Sequence, residues 1–411
     1  NGEALKPEPT PYMTPAPRPP KLITITMMAA VGVLSLNMIV PAFGEMADDF
    51  GVSYANISFL FSGYLIITGF LTLLAGPFSD RFGRRPVALF GVSLFIVASI
   101  VCAITPNLAI LYAARIVQAV VVGSAVISQA VVRDTSVDRA NTTRRLASVA
   151  MVMGLAPLIG PTTGGFLADM LGWRAVFWFQ ALAGIFTFAL VWFDLKETNL
   201  NPSSTFFAQM RDYPSIITSP RYWAYAGTLC LGVSTFFAFL AGMPLIGKAE
   251  FQLSQTQIGM VLGTLTVGYI AANAITRQVT AHVWDSSLML FGRLVGVSGA
   301  VGSLVLYYSG FTSPIFIIAP LILLGAANGF SVQPANAGVV SVNPALAGSA
   351  AGLSGAMVYW IGASASALMS FLLNENPSPL FFIWLLLGAT LLSLVPSVFS
   401  LLLDKRDQRA G

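Results

Sequence analysis

Twelve apolar stretches, each long enough to cross a lipid bilayer as a helix, follow one another from Leu22 to the end of the chain. A hydrocarbon core about 30 Å thick takes roughly 20 apolar residues as a helix. The stretches fall near 22–43, 58–77, 86–105, 107–131, 145–168, 173–194, 222–246, 255–275, 287–308, 314–335, 348–372 and 379–403. Backbone groups in lipid must find their hydrogen bonds inside the protein, so such stretches become helices. A β-barrel is excluded, because its strands would be about ten residues long and alternate in polarity. Only 9% of residues are charged, against about 25% in soluble domains, and the mean hydropathy is +0.78. The expected fold is an all-α membrane protein of twelve transmembrane helices.

Most connections between stretches are short, so neighbouring helices should be antiparallel. The exception is the polar, aromatic-rich segment from Lys196 to Arg221, which splits the chain six plus six. The expected organisation is a disordered, proline-rich cytoplasmic tail at 1–20, a six-helix bundle at 21–195, a cytoplasmic linker at 196–221, a second bundle at 222–403 and a cytoplasmic tail at 404–411. Residues 1–12 are expected to lie upstream of a native start at Met13. The first stretch is too long for a signal peptide and lacks a small-residue cleavage site. With both termini in the cytoplasm, 18 of the 21 Lys and Arg residues fall on the cytoplasmic side. Arg174 and Lys248 fall opposite, and Arg115 lies inside a span. This is the asymmetry of the positive-inside rule, and it counts Arg277 and Arg293 in the region between spans 8 and 9.

The net charge of +4 is small, and its basic residues sit in loops rather than on one face, which argues against nucleic acid. Cys102 and Cys230 lie in apolar stretches and read as core residues without a disulfide. The lone His282 sits in an expected loop and supports neither a metal site nor a catalytic triad. No nucleophile–base pair or metal-ligand set lies within the spans, so an enzyme is not expected. A phosphate loop of the Gly-x-x-x-x-Gly-Lys-Ser/Thr type is absent as well, which excludes an ATP-driven pump. No cofactor is expected.

The charged segment Gly76-Pro77-Phe78-Ser79-Asp80-Arg81-Phe82-Gly83-Arg84-Arg85 interrupts this apolar background between spans 2 and 3. Burying its charges in lipid would cost several kcal/mol each, so it is expected to form a tight turn in water. A second segment, Asn343-Pro344-Ala345-Leu346-Ala347-Gly348, places Asn at an N-cap and Pro at the first helical position of span 11. Asp80 is an anion suited to the partial positive charge of that helix end. Such a contact would join the two halves on the cytoplasmic face and favour an outward-open state, with Arg81, Arg84 or Arg133 completing the charge network. Arg115 lies well inside span 4 and should face a cavity or a partner. In span 5, Gly160 and Gly164 share a helix face that admits a close backbone neighbour. Pro157 and Pro161 interrupt its hydrogen-bond ladder and permit a bend.

These segments resemble motifs of the major facilitator superfamily of transporters. Gly76, Asp80, Arg81, Gly83, Arg84 and Arg85 match its loop between helices 2 and 3, to which the family assigns the cytoplasmic latch. The run from Arg115 to Ala119 is similar to its helix-4 motif Arg-x-x-Gln-Gly, with Ala119 in place of the last Gly. The run with Gly154, Pro157, Gly160, Pro161, Gly164 and Gly165 resembles the antiporter signature of drug exporters in that family, which implies export rather than uptake. Val132-Arg133-Asp134, Gly172 to Phe179, Gly329 to Ala337 and Ala347 to Gly352 look like the bicyclomycin-resistance and chloramphenicol-export branch. The resemblance spans roughly 22–403 and is thinner in the second half. It implies two pseudo-symmetric six-helix bundles and a proton-coupled multidrug exporter in the bacterial inner membrane, working as a monomer on the proton gradient.

One departure bears on coupling. Related exporters often carry an acid in span 1, where this chain has Asn37, which hydrogen-bonds but cannot titrate. The expected coupling residues are therefore Asp134 at the inner end of span 4, with Arg115 modulating the path, and then Asp48 and Asp49 near the outer mouth. By the resemblance, spans 1, 2, 4, 5, 7, 8, 10 and 11 wall a central cavity. Its expected lining is Asn37, Met38, Tyr64, Gln118, Met151, Phe236, Phe239, Tyr269, Asn328, Gln333, Tyr359 and Trp360. A large, weakly polar pocket of this kind suits amphiphilic or neutral drugs, whereas sugars would need many more hydrogen-bonding groups. The alternative is export of an endogenous metabolite, such as an amino-acid derivative or a siderophore-like compound, by the same mechanism.

Overall fold

The structure, a computed structural model, describes residues 18–136, 138–199, 213–280 and 283–410. Lys6, Met13, Arg211 and His282 lie outside these residues, as do 1–17 of the expected tail and 200–212 of the expected linker. Twelve spanning helices are present among the described residues: α1 (Leu22–Phe50), α2 (Tyr54–Phe82), α3 (Arg84–Ile104), α4 (Leu108–Thr135), α5 (Ala140–Leu171), α6 (Trp173–Asp194), α7 (Pro220–Ala249), α8 (Gln255–Val279), α9 (Asp285–Tyr308), α10 (Pro314–Ser341), α11 (Ala347–Glu375) and α12 (Pro379–Arg406). All twelve expected spans are there, and most run past their apolar limits. The backbone ladder continues into the headgroup region, where polar side chains are tolerated.

Local chemistry sets the helix ends. Asn107 accepts from the backbone N–H groups of Ala109 and Ile110 at the start of α4. Ser254 and Gln257 form a reciprocal capping box at the start of α8, satisfying donors that have no partner within the helix. Pro41 and Pro320 lack an N–H, and single 3₁₀ turns at Val40–Ala42 and Ala319–Leu321 accommodate them inside α1 and α10.

The loop between α2 and α3 departs from expectation. Helix α2 continues through Pro77 to Phe82, and the turn shrinks to Gly83, at φ +94°. The charges of that segment therefore ride on helical turns at the membrane surface, and only Gly83 needs a conformation that L side chains rarely adopt.

Helices α1–α6 and α7–α12 form two bundles. In the first, α3 packs on α6 and α1 on α5; in the second, α9 packs on α12 and α7 on α11. The bundles meet along two seams, α5 on α8 and α2 on α11. Exchanging the halves maps α2 onto α8 and α5 onto α11, so the two seams are equivalent in the pseudo-symmetry.

Glycines set how closely the seams approach. A Cβ on Gly164 would lie 1.8 Å from the carbonyl oxygen of Met38 in α1, and one on Gly165 would lie 2.1 Å from that of Gln255 in α8. Nearer the other end of α5, a Cβ on Gly154 would meet nothing within 4 Å. Overpacking a tight contact costs about 1–3 kcal/mol, whereas Gly to Ala inside a helix adds about 0.5–1 kcal/mol. Gly164→Ala should therefore lower the melting temperature of the purified protein, and Gly154→Ala should leave it unchanged or raise it. Equal effects from the two would contradict this packing.

Candidate functional site

One membrane face carries most of the Lys and Arg residues, and a single charge network ties its first half together. Arg84 is 8% exposed. It forms ion pairs with Asp80, one turn back, and with Asp134 at the end of α4, the latter at 3.1 Å through Nε. Its Nη1 also donates to Ser79 Oγ at 2.5 Å. Glu197, just past α6, accepts from the backbone N–H groups of Arg84 at 2.9 Å and Arg85 at 3.1 Å. A carboxylate thus caps the start of α3 in trans, where the helix dipole favours an anion. A Cβ on Gly83 would sit 2.6 Å from that carboxylate. Thr198 Oγ1 donates to Asp134 at 3.2 Å, and the Asn199 side chain donates to the Asp80 carbonyl at 2.6 Å. Sequence reading missed Glu197, whose only signal was an acid directly after an apolar span on a strongly basic face.

The expected contact between Asp80 and the start of α11 is not made. Asp80 is paired with Arg84. The α11 end opens with a 3₁₀ turn, Pro344–Leu346, in which Leu346 N–H donates to the Asn343 carbonyl at 2.9 Å. That turn begins at Pro344, directly after Asn343, and runs on into α11. Helices α2 and α11 touch at Leu73 and Gly352, whereas Cβ atoms built on Gly76 and Gly348, about one turn further on, would each meet nothing within 4 Å. Asp134 is engaged by Arg84 and Thr198 rather than facing a central path.

On the opposite face the halves are fastened. Asp48 forms an ion pair with Lys248 of the second half, and Lys248 also donates to the Gly44 carbonyl at 3.0 Å. The Gln255 side chain donates to Glu45 at 2.7 Å. Asp169, at the end of α5, accepts the backbone N–H groups of Gln255 at 3.0 Å and Thr256 at 2.8 Å. Tyr54 donates to the Ala241 carbonyl at 2.7 Å. Asp49 stays within its own half, paired with Arg174 at 2.9 Å and with the Trp173 indole at 3.1 Å. The two cations that sequence reading left on this face are thus the partners of its two candidate acids. Glu45 and Asp169 were legible only as acids at helix ends. Helix α5 runs unbroken through Pro157 and Pro161. Its Gly160 faces Leu34, Asn37 and Met38, and the Pro161 carbonyl lies against Gly259.

Between the two faces, Arg115 is 1% exposed. Its Nη1 donates to Gln118 at 2.5 Å and to the Ser35 carbonyl at 3.4 Å. Its guanidinium lies 4.5 Å from the Tyr64 ring and 5.9 Å from the Phe177 ring. Among the described residues no carboxylate pairs with it. Gln118 donates onward to Ser99 at 2.7 Å and Gln180 at 2.8 Å, forming a polar core inside the first bundle. Gln118 therefore braces α3, α4 and α6 and does not line the central cavity.

Two further cavity residues are corrected in the same way. Phe239 is fully buried and packs on Phe382 of α12 at 5.9 Å. Asn328 accepts from Arg293 at 3.0 Å. Arg293 itself is not in the region between spans. It lies inside α9, 2% exposed, and also binds Ser331 and the Ala327 carbonyl. Polar partners on α10 thus hold a buried mid-span arginine in the second bundle, where the sequence reading had placed only Arg115 inside a span.

Asn37, Met38 and Tyr64 are also closed off, at 2%, 1% and 0% exposure. The Asn37 amide donates to the Val33 carbonyl at 2.8 Å. Phe236, Tyr269, Tyr359 and Trp360 remain half-buried, while Gln333 and Met151 are exposed. Tyr359 stands 6.2 Å from Phe237, and the Trp360 indole donates to the Ile66 carbonyl at 3.2 Å across the α2–α11 seam. These six side chains are uncharged, and aromatic, amide or thioether in character.

Comparison with known proteins matches this architecture. The sequence profile of the Major Facilitator Superfamily matches residues 25–367. A chloramphenicol resistance protein of Pseudomonas aeruginosa is 27% identical over 304 residues, covering 73% of this chain and 72% of its own length. Multidrug resistance protein D of Escherichia coli is 27% identical over 366 residues, with 86% and 89% covered. The multidrug transporter MdfA of Yersinia pestis is 27% identical over 360 residues, with 83% and 84% covered. Among solved structures, the nucleoside transporter NupG superposes with a TM-score of 0.72 at 10% identity, covering 92% of this chain and 98% of its own. A D-xylose–proton symporter gives 0.71 at 14% identity, with 92% and 96% covered.

The network predicts which basic-face residue carries stability. Glu197→Ala strands backbone donors at the α3 start and should cost about 0.5–2 kcal/mol, the usual value of a lost cap. Arg133→Ala, which removes an exposed charge on the same face, should stay within about 0.5 kcal/mol. Thermal unfolding of the two purified variants separates them, and an unchanged Glu197→Ala would contradict the capping role.

Proposed function

Because this chain belongs to the major facilitator superfamily, we propose that it is a secondary active multidrug exporter of the bacterial cytoplasmic membrane. It carries amphiphilic or neutral drugs outward in exchange for protons, by alternating access of the central site. The observation that carries this reading is the glycine and proline segment of α5, whose Gly164 and Gly165 seal one face against α1 and α8. The names of the relatives, a chloramphenicol resistance protein and two multidrug transporters, support a drug as cargo.

The positive-inside rule makes the basic face cytoplasmic. The conformation is then inward-facing: the periplasmic side is fastened by Asp48, Glu45, Asp169 and Tyr54, and the cytoplasmic latch of Asp80 is unmade. In the outward-facing state Asp80 would turn to the α11 start. The uncharged aromatic, amide and methionine side chains between the bundles supply adaptable apolar contact with few fixed hydrogen bonds, as promiscuous sites do.

Coupling cannot use an acid at Asn37. Of the candidate acids, Asp134 is held by Arg84 within the first half, and Asp49 by Arg174. Asp48 alone of these forms an ion pair across the seam, so its protonation from the periplasm would loosen the closed face. Arg115 supports the first bundle's polar core, with Tyr64 stacked on its guanidinium.

Reconstituted vesicles with an imposed pH gradient test the reading. Substrate flux should follow the gradient, and flux indifferent to it would sink proton antiport. In cells, Asp80→Asn and Arg115→Ala should each abolish drug efflux while folded protein remains in the membrane. Unchanged drug accumulation in either variant would remove that residue from the mechanism.

A further inference from the structure

Where α3 begins and α6 ends, the basic face holds a cavity of about 570 Å³ that transport leaves unused. Arg81, Arg85 and Lys196 line it, together with Phe82, Trp192 and Phe193. No carboxylate forms an ion pair with these three cations among the described residues. The one acid in the wall, Glu197, is already committed to the backbone N–H groups of Arg84, Arg85, Thr198 and Asn199. Arg85 stacks over Trp192, with 5.4 Å between its guanidinium carbon and the ring centre, and its Nη2 donates to the Trp192 carbonyl at 3.0 Å. The Arg85 Nε is buried without a hydrogen-bond partner. Phe82, Trp192 and Phe193 are 55%, 51% and 85% exposed. Three large aromatic surfaces at the end of two spans lie at the depth where headgroups meet acyl chains.

We propose that this cavity binds the headgroup of one anionic phospholipid from the cytoplasmic leaflet. Its phosphate sits among the Arg81, Arg85 and Lys196 cations of the wall, which neutralise it and donate charge-assisted hydrogen bonds from their accessible N–H groups. Its acyl chains lie along Trp192, Phe193 and Phe82. Basic pockets between spans on the cytoplasmic side suit such headgroups. A zwitterionic lipid gains less, because its ammonium finds no free carboxylate in the wall. A soluble phosphate leaves the aromatic surfaces without a partner. The bound lipid would stand across Gly83 from the Asp80–Arg84–Asp134 network, next to the part of the molecule that must move.

Native mass spectrometry of the full chain in detergent tests this, with phosphatidylglycerol and phosphatidylcholine of matched chain length supplied together. One phosphatidylglycerol per chain should be retained in preference. The double variant Arg81→Gln/Lys196→Gln should weaken that retention about tenfold or more, since each cation near an anionic headgroup contributes on the order of a fivefold change. The double variant Lys405→Gln/Arg406→Gln removes the same charge from the same face, away from the cavity, and should leave retention unchanged. All four side chains are exposed except for their contacts at the surface, so both doubles should keep the wild-type melting temperature in lipid-free detergent. Equal retention of the two lipids, or equal losses from the two doubles, would overturn the site. Displacement of the lipid by millimolar inorganic phosphate would overturn its assignment to a lipid.

Discussion

At Gly164 and Gly165 the backbone of α5 lies directly against two others, those of α1 and α8. Neither contact leaves room for a methyl group. Lipid is as apolar as leucine, so nothing hydrophobic drives helices together within the membrane; close packing and polar contacts do it instead. The α5 glycine pair supplies the packing on one face. Asp169, Glu45 and Asp48 supply the polar contacts around it, tying α1 and α5 to α7 and α8. The rest of the architecture follows from that fastening.

The charge chemistry divides between the two faces. On the basic face each ion pair stays within one half: Arg84 gathers Asp80, Asp134 and Ser79 around itself in the first, and Arg221 pairs with Asp404 in the second. On the other face Asp48, Glu45, Asp169 and Tyr54 make contacts between halves, while Asp49 pairs with Arg174 inside the first. A molecule that rocks about its seams must make and break the contacts between halves while keeping those within a half as rigid framework. Arg115 and Arg293 belong to the framework. Each is buried in its own bundle and held by neutral partners, so a permanent charge is spread over amides, hydroxyls and carbonyls. Burying such ions is costly unless hydrogen bonds replace the lost water, and both sites meet that condition in part.

Much of this was legible in the sequence, for a physical reason. Lipid forbids unpaired backbone, so apolar length alone fixed twelve helices, and the placement of Lys and Arg distinguished the faces. Errors came where two environments demand the same residue types. The Gly76–Arg85 segment reads as a loop because it is charged, yet charged helical turns are equally stable at the surface, and only Gly83 breaks the helix. Gln118, Phe239 and Asn328 were assigned to the central cavity because a polar or aromatic side chain in mid-span must avoid lipid. Helical periodicity does not distinguish the cavity from a bundle's own interior, where all three lie. Arg293 was placed between spans because it stands near an apolar boundary, and its partners Ser331 and Asn328 are distant in sequence. Glu197 was missed because a cap supplied in trans has no local spacing to betray it.

The central claim is that the two bundles rock about the α5–α8 and α2–α11 seams, closing one face as the other opens. Spin labels read it directly. One pair, at Arg133→Cys and Arg277→Cys, reports the basic face, and a second, at Pro106→Cys and Thr312→Cys, reports the opposite face; all four positions are exposed. Pulsed dipolar distances in nanodiscs should change in opposite senses when the pH is lowered or a transported drug is added, the basic-face pair shortening as the other lengthens. Distances that stay fixed at both faces, or that change in the same sense, would contradict rocking about these seams.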